Sequence, residues 1–589
     1  MIVKLQNWIH SLEEGGGAKV LKAVLGVLAF VFAMLLYNVR EFQNLGTQEA
    51  MEQAQLARNI AQGKGFTTDV IRPLDLFVLQ QHQKSEQLAV TLPQPDLANA
   101  PAYPWLLAQW MKVGSWNYDI NQESEFNRFQ PDQRIAYLNQ LLFFVLLLFL
   151  FRLAKRLFDE QVAWFTVIVL GGTDLFWRFS QSGLPNLLAA LLIVVTIWLL
   201  TKAEQGARES KWPLWKVLPF LLLGGAALGL AGLTRYGLIL LVLPALVYVF
   251  HAFEERRGVL SLTLLIGFAS VLTPWLQRNL AVCGKPFGTA SYAVYAASSF
   301  FPGDELERAL KPEDVSVASD LGKYGVEAHW EKLMDNVEQV IVSDLPRLGG
   351  TWLSAFFLAS LLLPFTRPGL VKLRLWMVLS LGVLVVTQAL GRTQASTVSP
   401  DLNGENLLLV LVPLVVMFGA GMFNVLADQL KPVFDPGRGV ITGGFIFIFS
   451  LPMLLNLLTP RPSAWVYPPF HPPVIQQASA WLQKDEWMVS DMPAAVAWYG
   501  RRQSLLIPRD YTTEFTVIQQ AKPVNALYLT SISLDRKLLT EMSGKQAEPW
   551  AEFGLNAVIK GELPDGFPLK HAYADWFPYQ LFLSDRQRW

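Results

Sequence analysis

Roughly eleven apolar stretches of about 17 to 22 residues set the strongest limit on this fold. They lie near 19–37, 136–153, 161–177, 184–201, 216–234, 236–253, 259–276, 347–365, 374–391, 406–426 and 439–458. Inside hydrocarbon every backbone N–H and C=O must be bonded within its own segment, so runs of this length are predicted to be spanning helices. Residues 1–458 are therefore read as a membrane all-α domain of about eleven transmembrane helices. Lys+Arg equals Asp+Glu across the 589 residues. That balance leaves no basic excess to release counterions from a phosphate backbone, and nucleic acid is not an expected partner.

Positive charge carries information by position. Alternating the spans places Lys19/Lys22, Arg152/Lys155/Arg156, Lys202/Arg208/Lys211, Arg256/Arg257, Lys372/Arg374 and Lys431/Arg438 on one side. By the positive-inside rule that side is the cytoplasm, and the N-terminus with it. Met1–Ala18 contains Glu13 and Glu14, and no small-residue cleavage site follows the first apolar run, so that run is expected to be a retained anchor. Loops 38–135 and 277–346 and the stretch 459–589 then lie on the outer face. The absence of an Asn-x-Ser/Thr acceptor is compatible with a bacterial inner membrane and a periplasmic outer face.

After Pro460–Pro473 the pattern changes. Short apolar runs at Trp487–Ser490 and Ser504–Ile507 alternate with helix-like segments at Val474–Leu482 and Met492–Tyr499, which predicts a small soluble α/β domain over 459–589. It carries no Gly-rich phosphate loop and no nucleophile elbow. Trp498–Arg502 suits either an anionic acceptor or a solvated turn. Cys283 is the one cysteine and the six histidines are scattered, so neither a disulfide nor a zinc cluster is indicated, and no metal ligands are assigned. The glycines of Leu223–Gly229 suit close helix packing.

The long loop 38–135 is where chemistry at a membrane surface is expected. Thr47 suits an N-cap, Glu49 the positive first turn, and Gly63 a C-terminal stop, predicting a helix over Gln48–Gln62. Glu49, Glu52 and Gln53 share a polar face, and the helix is expected to lie amphipathically along the membrane surface.

Residues 46–66, Gly-Thr-Gln-Glu-Ala-Met-Glu through Gly-Lys-Gly-Phe, resemble the "Asp-Glu-Ala…Gly-x-Gly-Phe" segment of GT-C glycosyltransferases such as protein O-mannosyltransferases and lipid A aminoarabinose transferases. Asn99–Pro104, Gly229–Tyr236, Trp275–Asn279 and Gly284–Gly288 resemble further pieces of that family in order. The resemblance implies a GT-C-like membrane domain that moves a sugar from a polyprenyl-phosphate carrier to an envelope acceptor (glycan, lipid or protein) on the outer face. Such a transfer needs a carboxylate to take the acceptor proton and a cation to hold the phosphate. Glu49 and Glu52 are the expected catalytic carboxylates. Arg235, Arg278 and Lys285 are the expected phosphate-side cations, with Tyr103 and Gln48 also at the substrate. The lipid-linked donor is the one cofactor-like molecule implied, and a divalent metal is left open.

Three positions depart from the family pattern. Gln48 stands where the family carries Asp, Pro185 or Asn186 stands near a second expected acid, and Glu405-Asn406 replace an Arg before Leu407–Pro413. An amide cannot accept a proton, so the base role is assigned to the neighbouring Glu49. The alternative is a catalytically inactive GT-C-like scaffold that binds polyprenyl lipid or an envelope partner. A transporter would place ionisable residues mid-span, and the spans here are nearly free of them.

Overall fold

The computed structural model describes residues 16–85, 88, 90, 93–120, 128–298, 301–312, 325–345, 350–362, 367–392, 402–429, 437–459, 470–534, 549–573 and 580–589. Glu13, Glu14, Lys431 and linker residues 460–469 lie outside them.

Among the described residues eight helices are long and apolar enough to cross a bilayer, and nine if one bent pair counts as a single span. They are α1 (Gly16–Arg40), α5 (Gln130–Leu157), α8 (Asn186–Glu209), α9 (Leu214–Thr234), α11 (Arg257–Cys283), α14 (Pro368–Gly391), α15 (Val412–Gln429, entered by a 3-10 turn) and α16 (Gly437–Leu458). The bent pair is α6 (Glu160–Gly171) and α7 (Asp174–Gln181), which turn by 57° at Gly172–Thr173. The remaining two predicted spans are shorter helices: α10 (Val242–Ala252), preceded by the 3-10 turn Tyr236–Leu241, and α13 (Gly350–Leu362). Between loops, α2 (Gln48–Ala61), α3 (Pro73–Gln83), α4 (Ala102–Met111) and α12 (Gly325–Gln339) complete the helical part that positions the site.

Lipid-facing and bundle-facing helices separate by burial. α1 exposes Val20, Leu21, Leu25, Phe32 and Leu35, the surface a helix presents to acyl chains. α8 and α15 are instead central, with Leu187–Ala190 and Val416–Ala420 buried. α9 and α11 cross closely. A Cβ on Gly225 would stand 2.0 Å from the Leu264 carbonyl oxygen, and one on Gly267 2.1 Å from that of Leu222. Backbones touch there because small residues let them, as the glycine run predicted.

The C-terminal region forms a six-stranded sheet in the order β2-β5-β4-β6-β8-β7. Its strands are β4 (Trp487–Ser490), β5 (Ser504–Leu506), β6 (Val524–Leu529), β7 (His571–Ala572) and β8 (Leu581–Ser584), with β2 (Val70–Ile71) contributed by the first loop. β2 runs parallel to β5 with Val70 opposite Ser504. A separate two-stranded pair joins β1 (Thr67–Thr68) to β3 (Gln94–Pro95). The sheet is thus stitched into the first loop rather than tethered to it.

A second seam fixes the C-terminal region to α5. Asp132, fully buried at the start of α5, accepts from Trp498 Nε1 at 2.8 Å, from the Tyr499 hydroxyl at 2.7 Å and from the Leu45 N–H at 3.1 Å. α2 is held in this seam, packed against Pro493–Ala495 and Val496–Gly500 on one side and α4 on the other.

Candidate functional site

α2 begins as its sequence dictates. Thr47 is extended and its hydroxyl accepts from the Ala50 N–H, satisfying one of the free amides of the first turn. The helix is enclosed by protein, because Ala50 through Asn59 are all buried. Its polar side chains meet protein partners: Gln53 donates to Asn99 Oδ1 at 2.8 Å, and Arg58 donates to the Ala497 and Trp498 carbonyls of the turn Pro493–Gly500.

Glu49 lies in the first turn of α2 and accepts a hydrogen bond from Arg235 Nη2. Arg235 caps α9 in extended conformation, where the chain breaks before the 3-10 turn, and its side chain is directed back towards α2. Both side chains remain about a quarter exposed, at 26% for Glu49 and 21% for Arg235. The loop that leads into α15 lies directly on the pair: a Cβ on Gly404 would fall 1.9 Å from Arg235 Nη2 and 2.1 Å from Glu49 Oε2. Asn186 Nδ2 donates to the Gly404 carbonyl at 3.3 Å, tying α8 to the same spot. Gln48 donates from Nε2 to the Asp491 carbonyl at 3.4 Å, just beyond β4. The segments around the three positions at which the sequence departs from its expected pattern therefore converge on one ion pair.

One turn further on, Glu52 is enclosed. Arg72, which follows β2, donates from Nη1 and Nη2 to its two oxygens at 2.6 and 2.8 Å, and from Nε to Glu307 at 3.3 Å. Burial by itself would lower the Arg72 pKa, but the Glu52 and Glu307 charges hold it well above the usual value. Asp75 and Asp96 are buried in the same cluster. Burial pushes the Asp75 carboxyl up to about 7, against the pull of Arg72. Burial, with the Glu52 charge, also raises Asp96, although Asn99 donates to both of its oxygens at 2.8 and 3.0 Å. Sequence reasoning missed Arg72, Asp75, Asp96 and Gly404. Asp75 in the first turn of a Pro-started helix reads as an ordinary dipole partner, and nothing local marks it as buried.

The remaining sequence-selected residues are spread around the pair. Arg278 donates from Nη1 to the Asp96 carbonyl and to Asn279 Oδ1, both at 2.9 Å, and from Nη2 to the Phe66 carbonyl at 3.3 Å. Its guanidinium lies over the Trp275 and Phe66 rings. Tyr103 is buried, donates to Asn139 Oδ1 at 3.1 Å, and has its pKa raised first by burial and then by the Glu49 charge. Lys285 sits on the Tyr292 ring, among the contacts of a different apolar cluster.

Beside the pair is an apolar cavity of about 480 Å³. Phe66, Trp105, Leu188, Leu230, Leu233 and Trp275 are among its walls, so it extends from two residues before Arg235 to the rings beneath Arg278. No group of three or more His, Cys, Asp or Glu with metal-site geometry occurs among the described residues.

Comparison with known proteins agrees with this architecture. Residues 128–276 match the family described as dolichyl-phosphate-mannose-protein mannosyltransferase. The oligosaccharyltransferase of Archaeoglobus fulgidus, solved with Zn and sulfate, superposes with a TM-score of 0.53 at 10% identity, over 89% of this chain and 70% of that one. AglB from Archaeoglobus fulgidus, in complex with an inhibitory peptide and a dolichol-phosphate, gives 0.50 at 11%, over 96% and 75%. ArnT from Cupriavidus metallidurans in the apo state gives 0.50 at 11%, over 96% and 98%. No curated protein sequence matches. The chain carries the apolar helices of a multi-pass membrane protein and shares the fold of these solved structures.

Proposed function

We propose that this protein transfers a sugar from a polyprenyl-phosphate carrier to an envelope acceptor on the outer, periplasmic face of a bacterial inner membrane. The observation that carries the reading is the Glu49–Arg235 pair, about a quarter exposed, with an apolar cavity whose wall includes Leu233, two residues before Arg235. The prenyl chain lies in the cavity and its phosphate reaches Arg235. Arg235 exchanges Glu49 for the phosphate, which neutralises the leaving group and releases Glu49 as the base for the acceptor hydroxyl or amine. Glu52 supports this arrangement by holding Arg72. Arg278 has five N–H groups and its described bonds use three, so it is the second cation available to the donor. Tyr103 and Gln48 shape the pocket through Asn139 and Asp491. Lys285 is a more distant cation on the phosphate side.

Gln48 favours a second reading, a scaffold that binds polyprenyl lipid without turnover, because its amide is spent on a backbone carbonyl of the C-terminal region and cannot take a proton. Sugar discharge separates the two. Purified wild type and Glu49→Gln are incubated with native lipid extract and envelope fractions while polyprenyl-phosphate sugars are followed by mass spectrometry. Consumption of one species by wild type alone supports transfer. Retention of a bound prenyl lipid with no consumption by either supports the scaffold.

A further inference from the structure

The far end of α2 opens into a cavity unlike the first. It measures about 770 Å³ and lies between α2, the turn after it and the C-terminal region. Arg58, Lys64, Lys484, Arg501 and Arg502 line it, against the single described carboxylate Asp69. From Glu49 to Arg58 is nine residues of helix, about 14 Å at 1.5 Å per residue, so this is a separate place from the Glu49–Arg235 pair.

The five cations divide by role. Arg58 is structural: it is buried, donates to the Ala497 and Trp498 carbonyls at 2.7 and 2.9 Å, and reaches Asp69 at 3.4 Å. Arg502 is partly spent on the Leu482 carbonyl. Arg501 is exposed, and its partner Asp119, 71% exposed at the side chain, is a surface pair of the kind a ligand displaces at little cost. Lys64 and Lys484 are exposed, and no ion pair to either is found among the described residues. So many like charges around one concavity repel one another and favour a bound anion. The rest of the wall, Gln62, Gln503 and the Tyr118 ring, offers amides for hydroxyl groups and an aromatic face.

We propose that this cavity binds an anionic saccharide, the charged portion of a glycan acceptor whose nucleophile lies at the other end of α2. The acceptor role rests on the transferase reading above, and the binding itself does not. Full-length protein in detergent is titrated calorimetrically with glucose 6-phosphate, trigalacturonate, glucose and sodium sulfate, as wild type and as the Lys484→Glu/Arg501→Glu double variant. Both altered side chains are exposed, so an unchanged melting curve is expected and is measured alongside. One or both charged saccharides should bind wild type, with the tighter one identifying a phosphate or a uronate source, and the double variant should weaken binding by about tenfold or more. Equal affinity in the two proteins, equal binding of glucose, or sulfate as tight as the charged sugars overturns the proposal, the last as an adventitious ion only. Binding without donor consumption in the discharge assay would refute the transferase reading and leave this site standing.

Discussion

Glu52 and Arg72 meet through two parallel hydrogen bonds, at 2.6 and 2.8 Å, and this fork separates two carboxylates that share one helix face. Glu49, one turn earlier, accepts from Arg235 Nη2 and keeps about a quarter of its side chain exposed. Equivalent residues in the sequence thus acquire different chemistry: one carboxylate can exchange its partner and the other is locked.

Substitution should separate them. Glu49→Gln is expected to lower turnover by about 10²- to 10⁴-fold with little change in melting temperature. Glu52→Ala leaves buried Arg72 with Glu307 as its one described ion-pair partner, and a destabilisation of about 3 kcal/mol is expected, as for a broken buried pair. Donor consumption and thermal unfolding in detergent check both. Equal loss of turnover with unchanged melting in each variant contradicts the division of roles.

Gly404 tests the pair from the other side. Its added methyl in Gly404→Ala would fall within 2.1 Å of both Arg235 Nη2 and Glu49 Oε2, the tips of flexible side chains that can move aside. The fold should survive, with a stability change within about 1 kcal/mol, while kcat/KM falls at least tenfold as the pair is displaced. Wild-type kinetics in Gly404→Ala would remove the pair from the mechanism.

How much of this was legible beforehand depended on whether the cause was local. Thr47 and Gly63 bound α2 as their sequence suggests, since a cap and a stop act within a turn. The spans were legible because length and apolarity decide them. β2 was not: Val70 and Ile71 are two residues, and their partners Ser504 and Leu505 lie in the last fifth of the chain. The burial of α2 was hidden for the same reason, since Pro493–Gly500, which packs against it, comes from far along the chain. Gly404 carries no side chain to read, and its importance comes from the backbone approach alone.

Asp75 predicts a pH response. Its folded pKa of about 7 lies above the unfolded value of 3.8, so the folded state holds the proton more tightly. The stability this contributes is fully present below pH ~4 and is lost as pH rises through 7. Asp75→Asn removes the titration, and its melting temperature should lose that part of its pH dependence and exceed wild type at pH 8. Arg72, Asp96 and Glu52 surround the group and stay in place in the variant. A wild-type pH profile in Asp75→Asn would show that the carboxyl titrates normally.

Asp132 carries the last prediction, because it joins the membrane bundle to the C-terminal region through Trp498 and Tyr499. Tyr499→Phe removes one of the three donors and should cost about 1–2 kcal/mol. Asp132→Ala orphans the indole N–H and the Leu45 amide and leaves the phenol its longer bond to the Leu45 carbonyl at 3.4 Å, so a larger loss is expected, of about 3 kcal/mol or more. The loss should be local first, since β2–β5 pairing is only two residues long and cannot hold the sheet in place by itself. Limited proteolysis should therefore cleave Asp132→Ala between the bundle and the C-terminal sheet before the bundle unfolds. Because Gln48 contacts Asp491 and α2 packs under Pro493–Gly500, donor consumption should fall in parallel with that cleavage. Cleavage kinetics matching wild type, with activity retained, would show that the seam is not what seats the sheet on the site.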